Sequence, residues 1–501
     1  MMRIGTDLER VSSGIAGMDA ILGGGFLKGG LYIIQGPPGT GKTTFGNQIC
    51  FHHVAGGGRA LYVTLLAEYH ARMMQHLSVM AFFDGSKIPD SLAYLNGLRV
   101  LHDDGLRGLL ALLRREITSR EASVLVIDGI VSARRVAEDE QAFNEFVHEL
   151  QAIAIASECT VFILTSTHAN HKITPEHTMV DGIIELADYL RGWSAESVLQ
   201  VMKFRGSAFL RGRHAYKITG KGIVVYPRIE ALLSQPSRAD PGADVLDRVS
   251  IGIGQLDRML GGGIPASSTT MVMGPSGVGK TTLGLQFLAG SSTEQPGLMF
   301  GFYETPARIN AKVDEVCPAL RSLIDSGAVD LLWQPPSDDL LDAYGERLLD
   351  AVRSRKVKRL FIDGLGALQQ AAGTEPARMS KFLTALMNEL RVLGCTTVYT
   401  LEVPDIMGPS IRTPLGDLSS LAENLILLRF VELRARLHRL VSVLKVRDSQ
   451  FESSLHRYVT SGAGLVIEAT SDGAERITVG FAAEKDDAPL PGAAPRERHG
   501  G

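Results

Sequence analysis

A chain that carries one long pattern twice must fold as two copies of one unit, and this 501-residue sequence repeats itself along most of its length. RVSSGIAGMD at 10–19 returns as RVSIGIGQLD at 248–257. The triple glycine at 23–25 returns at 261–263, and Lys42 returns as Lys280, all at one constant spacing. Later pairs keep their order with small drifts: the strand-like VLVIDG ending at Gly129 matches RLFIDG ending at Gly364, and Lys203/Arg205 match Lys445/Arg447. Loop insertions and deletions produce drifts of this kind. The repeat is therefore a whole domain, far longer than a solenoid unit. We expect a first domain over 1–233, a linker over 234–246 rich in Pro, Ser and Ala, a second domain over 247–483, and a disordered, Pro/Gly- and charge-rich tail over 484–501.

Within each half, short β-rich runs (31–35, 60–65, 124–127, 160–164) alternate with helical stretches (43–53, 141–157). That alternation predicts an α/β fold, a mainly parallel sheet flanked by helices. The runs at 197–204 and 223–226 follow one another without an intervening helix, which predicts an antiparallel extension.

Two segments carry the chemistry. Gly36, Pro37, Pro38, Gly39, Thr40, Gly41, Lys42 and Thr43 fit G-x-x-x-x-G-K-[ST], and so do Gly274, Pro275, Ser276, Gly277, Val278, Gly279, Lys280 and Thr281; Thr44 and Thr282 follow. Glycines let the backbone curl so that successive N–H groups point inward at phosphate oxygens, and the following helix adds its N-terminal dipole. Lys42 and Lys280 supply point charge, while Thr43 and Thr281 offer hydroxyls to Mg²⁺. A strand precedes each loop and an amphipathic helix is expected to follow. Asp128 and Asp363 end apolar strands and are the expected partners of that metal ion. Each is followed by Gly, so a water-activating base must come from another strand end. Glu68, after the run 60–65, and Glu304, after 297–303, are the candidates.

Bulk chemistry narrows the partners. A net charge of −4 gives no support for a nucleic-acid surface, which is usually basic. The four cysteines are scattered without a C-x-x-C pair, against a zinc ribbon or disulfide framework and in keeping with a reducing cytoplasm. No run approaches the roughly 20 apolar residues that span a bilayer, so no membrane partner is expected. The histidines of 168–177 lack metal-ligand spacing.

Taken together, the R-V-S-x-G-I-x-x-[ML]-D opening, the G-G-G turn, the phosphate loop, the I-D-G strand end, and K-x-R with GIVVYP at 222–227 resemble the KaiC family of RecA-like ATPases, over about residues 8–470. The segment LILLRFVELR at 425–434 resembles that family's second domain. The resemblance implies a double-ring homo-hexamer with ATP·Mg²⁺ between subunits and a regulatory protein partner. It implies that Lys203, Arg205, Lys445 and Arg447 reach the phosphates of the next subunit. It also implies autophosphorylation in the second domain, with Ser419 and Ser420 at the acceptor positions. Departures are visible. The family's two adjacent glutamates are here Tyr303-Glu304 in the second half and Leu66-Ala67, with Glu68 one place on, in the first. The tail does not resemble the segment through which clock proteins of the family meet their activator. Two rival readings remain at this level: a RadA- or RecA-like DNA-dependent recombination ATPase, and a scaffold that ATP assembles with little catalysis.

Overall fold

The computed structural model describes residues 8–66, 70–166, 176–191, 193–234, 247–336, 340–373, 376–404, 422–433, 436–447 and 449–468. The chain divides into two compact units between Leu232 and Leu233. Each holds a sheet of nine strands among its described residues.

In the first unit the strands lie in the spatial order 222–226, 213–219, 194–204, 182–191, 31–36, 160–166, 124–128, 60–64 and 92–96. The six from Gly182–Arg191 to Leu92–Asn96 run parallel, and the three beyond Gly182–Arg191 pair antiparallel. The second unit repeats this plan, with Thr269–Gly274 in the place of Leu31–Gly36, between the parallel neighbours Thr396–Glu402 and Asn424–Leu433.

Parallel strands covered on both faces read as continuous apolar runs, and these do. Tyr32, Ile34, Tyr62, Val124 and Val126 enter one core; Leu31, Ile33, Leu61, Leu125 and Ile127 enter the other. Successive side chains point to opposite faces, so both sets must be apolar at once.

The helices after the phosphate loops differ from expectation. Lys42–Ala55 is not amphipathic: Phe45, Gly46, Asn47, Gln48, Ile49, Cys50, Phe51 and Val54 are all buried, around most of its circumference. It packs against the strands 60–64 and 124–128 and also against 222–226 of the antiparallel extension, so little of it meets solvent. Burial on that scale requires its polar groups to be paired. Gln48 supplies the pairing: its amide donates to the carbonyls of Gly14 (3.1 Å) and Ile223 (3.2 Å) and accepts from the Ile223 N–H (2.8 Å). Gln286 accepts from the Leu465 N–H at 2.9 Å in the second unit.

The duplicated opening motif proves to be a structural clamp. Arg10 donates to the carbonyls of Leu22 and Gly25 and to the Ser207 hydroxyl; Arg248 does the same to Leu260, Gly263 and Ser449. Asp19 and Asp257 each accept from a serine hydroxyl and a backbone N–H just upstream. This clamp ties the start of each unit to the residues that follow its K-x-R pair.

Gln48→Leu should keep the volume and strand three backbone groups in an apolar setting, a loss of about 2–3 kcal/mol. Pulse proteolysis in urea, with fragments assigned by mass, should show the first unit cleaved at lower urea than in the wild type while the second is unchanged.

Candidate functional site

Each phosphate loop leaves the C-terminal end of a central parallel strand, where α/β sheets bind ligands. The geometry is set by backbone crowding before any side chain acts. A Cβ on Gly36 would lie 2.2 Å from the Leu186 carbonyl oxygen, and one on Gly274 2.5 Å from that of Leu428, so only glycine lets the loop turn here. Gly41 and Gly279, at the helix N-caps, take left-handed φ angles of 88° and 112°, which glycine adopts at least cost.

The lysines behave identically. Lys42 Nζ donates to the carbonyls of Gly36 (2.8 Å) and Pro37 (2.7 Å), and Lys280 Nζ to those of Gly274 and Pro275 (2.7 Å each). Burial lowers both pKa values from the ordinary lysine range. Asp128 opposes that shift at Lys42, and Glu402 and Asp363 oppose it at Lys280.

Beside each lysine stands a hydroxyl–carboxylate pair. Thr43 donates to Asp128 at 3.1 Å and Thr281 to Asp363 at 2.8 Å. An all-oxygen pair at the mouth of the loop suits Mg²⁺, a hard cation that keeps much of its water. The residues fit Mg²⁺·ATP: the loop for the phosphates, Thr43 and Asp128 or Thr281 and Asp363 for the cation. The ion would supply charge neutralisation on the phosphate oxygens.

The two carboxylates are anchored differently. Tyr62 donates to Asp128 at 2.9 Å, whereas Thr400 donates to Asp363 at 2.8 Å and also accepts from the Gly364 N–H. Burial raises the Asp363 pKa, with the hydrogen bonds from Thr400 and Thr281 acting against that shift.

The surroundings diverge further. The first cleft, about 240 Å³, is lined by Thr43 and Asp128 together with His70, Met73, His76 and Met80. His70 sits 2.8 Å from the Thr64 hydroxyl, and burial lowers its pKa, favouring the neutral ring. The second cleft, about 870 Å³, is lined by Lys280, Thr281, Tyr303, Glu304, Asp363 and Glu402 among others. Glu304 does reach this cleft, held by Lys312 at 2.6 Å. Glu68, Ser419 and Ser420 lie outside the described residues.

Lys203 and Arg205 both donate to the Thr178 carbonyl, at 2.9 and 2.7 Å, and Lys445 to that of Ala422 at 2.9 Å. The backbone N–H of Arg447 donates to the Glu423 carbonyl. Within the chain these residues hold the segments that lead into the strands Gly182–Arg191 and Asn424–Leu433.

Sequence reasoning missed two residues that shape the loops. The buried Tyr216 hydroxyl donates to the Thr40 carbonyl at 2.7 Å, and Tyr458 to that of Val278 at 2.6 Å. Both come from the antiparallel extension, and they share the spacing of Lys203 and Lys445, so extending the repeat alignment would have exposed them. Glu402 was missed as well; its counterpart beside the first loop is Ser166.

A family model described as "ATPase: KaiC" matches residues 11–230 and again 249–472. The chain belongs to the KaiC ATPase family. The circadian clock oscillator protein KaiC of Parathermosynechococcus lividus is 24% identical over 485 residues, covering 94% of this chain and 88% of that one. The corresponding KaiC of Picosynechococcus sp. is 24% identical, covering 94% and 92% of the two chains. The circadian clock protein KaiC3 of Synechocystis sp. is 22% identical, with 92% of each chain covered. Membership accounts for the tandem sheets and the twin phosphate loops, which makes this a two-domain KaiC-type ATPase by lineage. No helix among the described residues is long and apolar enough to cross a membrane.

Tyr458→Phe should weaken binding of a non-hydrolysable ATP analogue at the second loop by roughly 3- to 10-fold, the worth of one buried hydrogen bond, without changing the circular dichroism spectrum. Equilibrium dialysis of Lys42→Ala/Tyr458→Phe against Lys42→Ala isolates that site.

Proposed function

We propose that this KaiC-family chain binds and hydrolyses ATP with Mg²⁺, assembles into a nucleotide-dependent homo-hexamer, and transfers phosphate to its own Ser419 or Ser420 through the second domain. The observation that carries the reading is the duplicated triad of loop lysine, loop threonine and strand-end aspartate, brought together in each unit. Phosphoryl transfer depends chiefly on positioning and on charge placed around the transferring group. Lys42 and Lys280 contribute that charge, and Asp128 and Asp363 contribute oxygens for the metal ion.

Hexamer assembly is supported by the family resemblance and by the K-x-R strands. In the assembled ring Lys203, Arg205, Lys445 and Arg447 would serve the neighbouring subunit's phosphates. A regulatory protein partner and a cytoplasmic location belong to the same reading. Autophosphorylation is supported by the place of Ser419 and Ser420 in the sequence, just before the strand Asn424–Leu433. Glu68 remains the proposed base for the first domain; Glu304, the candidate the sequence offers for the second, is held by Lys312, which leaves that role to another carboxylate of the cleft.

Light scattering should show hexamers with Mg²⁺·ATP and smaller species without nucleotide, with Lys42→Ala weakening assembly; a monomer at saturating ATP contradicts the ring. Incubation with γ-labelled ATP should transfer label to wild type and not to Ser419→Ala/Ser420→Ala, with site mapping by mass spectrometry. Equal label on both proteins rejects those acceptors.

A further inference from the structure

The two units part company at one strand end. The strand beside each loop strand is parallel to it and in matching register: Gly36 faces Ser166 in the first unit, and Gly274 faces Glu402 in the second. The Val403 N–H closes the contact by donating to the Gly274 carbonyl at 3.3 Å. Neighbouring strands lie about 4.8 Å apart, so Glu402 starts beside the root of the phosphate loop. It lines the same cleft as Lys280, Thr281 and Asp363.

The other carboxylates of this cleft are engaged. Asp363 accepts hydrogen bonds from Thr281 and Thr400, as a metal-ordering group must be held. Glu304 is paired with Lys312 at 2.6 Å, and the position before it is Tyr303, which has no basic oxygen to offer. The Glu402 side chain makes no hydrogen bond and no ion pair with the described residues; it is exposed, lines the cleft and feels the charge of Lys280. A bare strand-end carboxylate is most often a solvated surface group. This one shares its cleft with the loop lysine and with Tyr303.

We propose that Glu402 is the proton acceptor for the attacking water in the second ATP site. In this step a water O–H bond breaks and its proton passes to a Glu402 carboxylate oxygen. The water oxygen forms a bond to the γ-phosphorus. The bond from that phosphorus to the β,γ-bridging oxygen breaks, and its electron pair leaves on ADP. Glu402 then returns the proton to solvent, so that ATP and water become ADP, phosphate and a proton. The first site, with Ser166 at this position, cannot run the step in this way. The inference rests on the reading that the second domain hydrolyses ATP.

The test uses the full-length chain with Mg²⁺·ATP. The second site's turnover is the part of the wild-type rate that Lys280→Ala removes. Glu402→Gln should lower that part about 100-fold, the scale of a positioned general base, with KM for ATP nearly unchanged. Glu304→Gln should retain most of it. A fluorescent non-hydrolysable ATP analogue should bind Glu402→Gln as tightly as wild type or more tightly, because a negative charge beside the phosphates is gone. Lys280-dependent turnover that survives Glu402→Gln, or that is lost in Glu304→Gln instead, overturns the proposal alone. Absence of any Lys280-dependent turnover in wild type overturns both the proposal and the hydrolytic reading of the second domain.

Discussion

Both sites depend on the hydrogen bonding of one central strand to parallel neighbours on each side. Leu31–Gly36 and Thr269–Gly274 are each fixed in register by two ladders. Their last residues meet a neighbouring carbonyl so closely that only glycine fits. The loop that follows has little freedom left. Its lysine folds back onto two loop carbonyls, a tyrosine from the antiparallel extension grips a third, and the helix begins at a left-handed glycine. Backbone geometry thus fixes the loop, and the side chains add charge to a shape already made. Preorganisation of this kind keeps the cost of ordering the site within the fold itself.

Duplication preserved this frame and allowed its edges to change. The clamp residues Arg10 and Arg248, the lysines, the threonine–aspartate pairs and the tyrosine grips all occur in both units with matching partners. The groups around them do not. Tyr62 supports Asp128, while Thr400 supports Asp363; Ser166 stands where Glu402 stands; His70, Met73 and Met80 line the cleft beside Asp128, whereas Tyr303, Glu304 and Glu402 line the one beside Asp363. The two sites thus share one binding frame and differ in the groups that surround it.

Much of the frame was legible in the sequence because it rests on local rules. Glycine spacing, a strand before and a helix after, and an aspartate ending an apolar run each follow from neighbours in the chain. Their recurrence in the same order in both halves removed the ambiguity of any one match. The antiparallel extension was also legible, from consecutive strand-like runs without a helix between them. What the sequence hid depends on distant contacts. The sequence predicts an amphipathic helix after the first loop, with a helical stretch at 43–53, but packing against the extension buries nearly all of Lys42–Ala55, and Gln48 is tolerated there only because Gly14 and Ile223 meet it. Tyr216 and Tyr458 look like ordinary strand aromatics until their hydroxyls are seen on the loops. Glu402 escaped notice because it breaks the repeat, and a search for what recurs passes over what has changed.

The central claim is that each unit carries its own phosphate loop with its lysine, threonine and aspartate, and so binds its own nucleotide. Counting bound nucleotide tests it most directly, by equilibrium dialysis with a non-hydrolysable ATP analogue and Mg²⁺. The account predicts two nucleotides per wild-type chain and one in either Lys42→Ala or Lys280→Ala. One nucleotide per wild-type chain, or the loss of both from a single lysine substitution, would contradict it.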